Sequence, residues 1–345
     1  MNIMECLAAG VSQVGHSGHE GDAARYFMEK IRPFVDEVSM DDMQCVIAHK
    51  KGTGPKIMLS AHADEIGMMV TRIEDDGCLR MDNVGGVDPR ILPACRVWIH
   101  GREKLFGTVG AKPPHLLTQA EREKNYDRAD LYVDVGYPVE RVRELVQVGD
   151  LISFNCAPTQ LLNDQVASKT LDDRACVIMF ILAAERLMRM ACDADVYFVF
   201  SSQEEVGCRG AGTAAFAIHP DLALVVDVCH ATIPGSAPDT THPIGVLSTT
   251  FGPVLNTRLV ERLIDCAKAH RVKLEVDIST SHTGTDAETL SLAREGVPTV
   301  EIGLPLKYMH TTVETMDRKA LEEGGRLIAH FLSELDRSWE ENLWI

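Results

Sequence analysis

Apolar residues fall along this chain in two rhythms. Towards both ends, short apolar runs alternate with longer stretches of helical spacing. Residues 56–60, 196–200 and 222–227 are compact runs rich in β-branched, aromatic or aliphatic side chains, and they read as strands buried on both faces. Residues 273–278 and 297–302 read as two further strands. Helices are predicted over 172–190, 209–218, 254–269, 285–294 and 317–336, with Glu295-Gly296 stopping the fourth. Apolar residues nearly encircle the helix at 172–190, so it is expected to be deeply buried. Alternation of this kind predicts an α/β fold, a mostly parallel sheet flanked by helices on both faces.

The middle of the chain differs. From 67 to 163 the apolar runs are short and are interrupted by Gly77, Gly85-Gly86, Pro89, Pro93, Gly101, Gly107, Gly110, Pro113-Pro114, Gly136, Pro138 and Gly149. Turn residues this frequent predict a β-rich module, with one clear helix at 139–146. The α/β pattern resumes afterwards, so residues 67–163 read as a domain inserted between 1–66 and 164–345. The chain shows no internal repeat and no low-complexity linker.

Composition narrows the function classes. The chain has 345 residues, 45% hydrophobic and 25% charged, an ordinary globular balance. Its 34 basic and 51 acidic residues give a net charge of −17. Such a surface repels nucleic-acid backbones and anionic membranes. The first residues have no basic segment followed by an apolar core, and no run is long enough for a membrane span, so neither a secretory signal nor a membrane partner is expected. Ten cysteines are scattered rather than paired at close spacing, which is expected of reduced thiols in a cytoplasmic protein.

Candidate chemistry collects at predicted strand ends, where an open α/β sheet places its ligands. His62 and Asp64 follow the strand at 56–60, Glu204 and Glu205 follow 196–200, Asp227 ends 222–227, and His310 follows 297–302 across a loop. Asp172 opens the long helix. Each alone has an ordinary reading: a solvated acid, a loop histidine or a helix cap. Together, two histidines and several carboxylates form a donor set for hard or borderline cations. His62, Asp172, Glu205, Asp227 and His310 number one more than a single tetrahedral zinc takes, which points to two metals bridged by Asp172. His62 and Asp227 would serve one ion, Glu205 and His310 the other. Glu204 precedes a ligand and is the candidate general base, and Asp64 is placed to orient His62. Asp286, in Gly284-Thr285-Asp286-Ala287, is a candidate for capping a helix or shaping a substrate pocket.

These residues sit in segments that resemble the dinuclear metallo-aminopeptidases of the glutamyl and tetrahedral (TET) aminopeptidase family. The matching pieces are Ser17-Gly18-His19-Glu20, Ala61-His62-Ala63-Asp64-Glu65-Ile66-Gly67, Lys112-Pro113-Pro114-His115-Leu116, Leu171-Asp172-Asp173-Arg174, Glu204-Glu205-Val206-Gly207, Gly284-Thr285-Asp286-Ala287 and Tyr308-Met309-His310. The resemblance covers nearly the whole chain in the family's order. It implies a zinc-peptidase domain interrupted by a β-rich dimerisation domain, two divalent ions (zinc, with cobalt as the alternative) held by the five ligands, and Glu204 as base. It also implies short peptide substrates and a homo-oligomer, from dimers to dodecamers. His115, in the inserted segment, is a candidate substrate-binding residue for a neighbouring subunit's active site. Cys176, near a position where relatives often carry glycine, and Thr311-Thr312 after His310 depart from the pattern without removing a ligand.

Three other functions fit parts of the pattern. A glycosidase also uses paired carboxylates, but only three tryptophans are available as sugar platforms and the five ligands would go unexplained. An amidase or deacylase acting on small N-acyl substrates would share the site. A non-catalytic metal-binding assembly protein would have no use for Glu204.

Overall fold

Four parallel strands form the centre of the larger of two β structures: in spatial order Asp195–Ser201, Lys56–His62, Leu222–His230 and Thr299–Lys307. The computed structural model describes residues 1–336 and 338–340. The strand Lys56–His62 is buried from its second residue to its last, as an uninterrupted apolar run in a central strand requires. The sheet is mixed, because its edges are antiparallel. Glu37–Met40 and Val46–Lys50 extend one side, and Glu314–Asp317, Gln165–Ser168 and Thr159–Gln160 extend the other. A branch of Leu247–Phe251 and Leu274–Ile278 meets Thr299–Lys307 at Ser248 and Gly303.

The helix Leu171–Leu187 is buried on nearly all sides. It packs on Arg318–Ser333, where Gly324 and Gly325 leave room for Met179 and Leu182. Arg174, fully buried near its start, donates to the carbonyls of Gly10, Gln13 and Ala63 at 3.0, 2.8 and 2.9 Å. That one side chain ties the N-terminal helix Ile3–Val11 to the loop after His62.

The second β structure is a closed barrel of Gly67–Ile73, Leu79–Val84, Leu131–Asp134, Lys104–Ala111, Arg96–His100 and Leu151–Phe154. It has its own core, including Met68, Val97, Ile99, Val133 and Ile152. Its helix is Val139–Leu145, with a shorter one at Gln119–Arg122. The barrel ends at Phe154, short of the expected boundary at 163. Thr159–Gln160 already pairs with Gln165–Ser168 in the large sheet, through a turn at Asn163 and Asp164. The helix expected over 285–294 is only Ala287–Leu290. A turn closed by Val297 N donating to Ser291 O at 3.1 Å replaces the rest, and Gly296 supplies the left-handed backbone, φ 98°. The strand expected to end at Ile302 runs on to Lys307, which shortens the link to His310.

Candidate active site

The register of the parallel strands brings the chemistry to one edge. His62 ends its strand opposite Ser201, and Glu204 and Glu205 lie just beyond that neighbour. Asp227 lies opposite Gly303 on the next pair, and His310 follows three residues after Lys307. Asp172 and Asp173 enter from the helix side with non-helical backbones, so their carboxylates face the strand ends instead of continuing the helix.

Asp172 stands between the two histidines. Its Oδ1 lies 3.0 Å from His62 Nε2, and its Oδ2 lies 3.3 Å from His310 Nε2. Glu205 Oε1 is also 3.3 Å from His310 Nε2. Ligand atoms of His62, Asp172 and Glu205 fall within 4.8 Å of one another, as do those of His62, Asp173 and Asp227. All five sequence-predicted ligands therefore converge, joined by Asp173.

Neighbouring groups hold these side chains in place. Asp64 is fully buried; its carboxylate lies 3.3 Å from His62 Nδ1, an ion-pair contact rather than an aligned hydrogen bond. The same carboxylate accepts from Ser17 Oγ at 2.6 Å and from the backbone N–H groups of Glu204 and Glu205 at 3.1 and 3.2 Å. Asp64 thus fixes both the histidine and the glutamate pair. His310 Nδ1 donates to the Gly86 carbonyl at 3.0 Å, which directs Nε2 at the carboxylates. Gly86 belongs to the inserted segment. Glu314 accepts from the N–H groups of Leu171 and Asp172 at 2.7 and 3.2 Å through one oxygen, and from His310 N at 3.0 Å through the other. Behind them, buried Glu65 is paired with Lys169 and accepts from Thr170 Oγ1 at 2.8 Å.

Asp173, Glu314, Glu65 and Gly86 were not singled out from the sequence. Asp173 is adjacent to a predicted ligand and Glu65 falls in a matched segment, so a signal existed for both. Glu314 lies on a short strand whose pairing is set only in three dimensions.

Burial pushes the carboxyl groups of Asp173, Asp227 and Glu314 well above the ordinary range, and neighbouring carboxylates push the same way. Burial acts in that direction on Asp172 too, but the bonds from His310 and His62 hold it below its usual value. His310 is pushed up to about 11, chiefly by Asp172 and Glu205. His62 is also raised: burial opposes its charge, but Asp172 and Asp64 prevail. Burial carries Glu204 up to about 7.

Glu204 Oε2 lies 3.9 Å from His62 Nε2, and its Oε1 accepts from Cys208 Sγ at 3.2 Å. Asp286 is buried beside it and accepts from Ser60 and Ser201 hydroxyls at 2.8 and 2.6 Å, with Oδ1 unpartnered. His115 is not brought to this cluster within one subunit. It is exposed on the turn Pro114–Leu116 of the inserted segment.

The donor set fits divalent cations. Several carboxylates and two imidazoles crowd a buried space, where excess negative charge requires a counter-charge. Asp173 Oδ1 is buried without a hydrogen-bond partner. With Nδ1 donating to a carbonyl, His310 directs Nε2 into the cluster, where a bound cation would take the place of the proton.

A sheet with carboxylates and histidines at its carboxyl edge, joined to a small barrel, defines a metallopeptidase architecture. Residues 44–327 match the M42 glutamyl aminopeptidase family, and the chain belongs to that family. A lysyl aminopeptidase of Pyrococcus furiosus is 35% identical over 96% of this chain and 97% of its own. An aminopeptidase of the archaeon Desulfurococcus kamchatkensis superposes with a TM-score of 0.92 at 33% identity, covering 99% of this chain and 97% of that one. The Pyrococcus horikoshii TET1 peptidase, described as assembling into a tetrahedron or a large octahedral shell, superposes at 0.84 with 28% identity, over 96% of this chain and 99% of its own. The chain is a metal-dependent aminopeptidase, a hydrolase of peptide bonds.

Proposed function

We propose that this aminopeptidase works with two divalent ions bridged by Asp172, and that it removes N-terminal residues from short peptides. The observation that carries this reading is Asp172 itself, with one carboxylate oxygen facing each histidine. His62 and Asp227 would hold one ion, and Glu205 and His310 would hold the other. An oxygen and imidazole donor set without thiolate suits zinc, with cobalt as the alternative. When bound, the ions supply Lewis acidity to the scissile carbonyl and to the attacking water. Glu204 accepts the water's proton at Oε2 and returns it to the leaving amine. Asp64 acts through His62, keeping its ring oriented. Carboxylates left over around the site, Glu204 and buried Asp286 among them, favour a free α-ammonium on the substrate.

The barrel serves as the dimerisation domain, and dimers assemble further, to a dodecamer. Supporting this are the TET relative's shell and the exposed apolar side chains of Phe106 and Leu116 on the inserted segment. In that assembly His115 reaches a neighbouring subunit's substrate. All ten cysteines are free thiols, which supports a cytoplasmic location. Among the described residues, no helix is long and apolar enough to cross a membrane.

The test is to remove metal with a chelator, restore zinc or cobalt, and assay free-amine peptides beside N-acetylated copies. Cleavage of free-amine peptides alone, lost on chelation and regained with either metal, is expected. Release of acetyl groups would make the enzyme a deacylase, and internal cleavage of acetylated peptides would make it an endopeptidase.

A further inference from the structure

A cavity of about 640 Å³ opens beside Asp227. The strand Thr299–Lys307 forms part of its wall, and Leu274–Ile278 and the loop leading to Thr285 form more. Its charged lining is one-sided: Asp227, Asp239, Asp277 and Glu301 contribute carboxylates, and no lysine or arginine is among the described residues that line it. Histidines do line it, and one of them is already committed. His242 is clamped between Glu275, 2.9 Å from its Nδ1, and Asp277, 2.5 Å from its Nε2. One imidazole faces two carboxylates there.

Glu301 has no cationic partner at all among the described residues. Thr285 Oγ1 donates to it at 3.4 Å, and Thr250 also hydrogen-bonds to it. Burial, against those two hydrogen bonds, pushes its carboxyl up to about 7, and Asp277 pushes the same way. A largely buried acid that faces a cavity without a counter-charge is costly unless something cationic enters.

The register gives the distance. Glu301 lies opposite Val225, and Gly303 lies opposite Asp227, so Glu301 and Asp227 share a face of the sheet, offset by two positions. That offset is about 7 Å along the strand. A peptide whose first carbonyl sits by Asp227 would send its first side chain along this face, and a flexible four-carbon stem suits such a span.

We propose that the cavity receives the side chain of the substrate's N-terminal residue and selects lysine or arginine, with Glu301 as the specificity-determining carboxylate and Asp277 reinforcing it. This rests on the aminopeptidase reading of the adjoining site. An N-terminal glutamate would add another acid to an already acidic cavity and is rejected. A leucine fits the volume but leaves Glu301 unpaired.

The test is a panel of lysyl, arginyl, leucyl and glutamyl chromogenic amides, with the wild type and Glu301→Gln. The wild type is expected to favour lysyl or arginyl over leucyl amides in kcat/KM by about tenfold or more. Glu301→Gln is expected to lower the lysyl-to-leucyl ratio by about 10–100-fold. A wild type that favours leucyl or glutamyl amides, or a ratio untouched by the substitution, overturns the proposal. Inactivity on every amide would instead count against the catalytic reading. In that case calorimetry with lysinamide and norleucinamide decides the pocket: preferential binding of lysinamide, weakened in Glu301→Gln, upholds it, and equal binding refutes it.

Discussion

Glu204 shows how one residue takes its task from its surroundings. One oxygen is engaged by Cys208, the other faces His62, and burial brings its carboxyl up to about 7. In the base role proposed for it, a carboxyl with that affinity can both take and return a proton near neutral pH. Glu204→Gln keeps the shape and removes the acceptor, so kcat should fall by about 10²–10⁴-fold. Metal content, measured by elemental analysis of the same preparation, should not change. Asp172 presents the opposite case. Asp172→Asn removes the negative charge and replaces one of the two oxygens with an amide nitrogen that cannot ligate, so occupancy of both ions should fall, whereas His310→Ala should lose one preferentially. Full occupancy in Asp172→Asn would rule out the bridge.

At the scale of elements, the turn at Gly85-Gly86 joins the barrel to the proposed metal ligands His310 and Glu205. A Cβ on Gly86 would come within 2.8 Å of His310 Nδ1, and one on Gly85 would meet Glu205 Cβ at 3.2 Å. Gly85 also needs its left-handed backbone, φ 77°. Gly86→Ala should therefore displace His310. The expected outcome is loss of about one ion per subunit and reduced turnover with the fold intact, as read by elemental analysis and circular dichroism. From the sequence this pair was visible only as a turn signal within a β-rich segment. The buried strands and the residues at their ends were legible because an apolar run followed by a polar loop is a local pattern. The helix at 209–218 matched residue for residue. The edge strand Glu37–Met40 and the short inner strand Glu314–Asp317 were not legible, since exposure in the first and shortness in the second erase the alternation and pairing depends on distant partners. The same holds for Glu314 and Gly86, whose roles are hydrogen bonds to segments remote in the chain.

For the whole molecule, the barrel supplies none of the proposed metal-ligand side chains, yet it forms a separate core of its own. Subunit pairing is the use proposed for it. Light scattering on purified protein should give a dodecamer. A dimer would confine the barrel to pairing, and a stable active monomer would remove both roles.

The arrangement also sets an order of events during synthesis. His310 and Gly86, which must meet, are 224 residues apart, and His62 and Asp172 are 110 apart. A growing chain presents His62 first, then completes the barrel, and delivers His310 only after both. Contacts this distant close late and slowly. A nascent chain that has not yet reached His310 therefore offers solution metals only part of the proposed binding set. On that reading, proteolytic power is withheld until the segment carrying His310 has joined the rest.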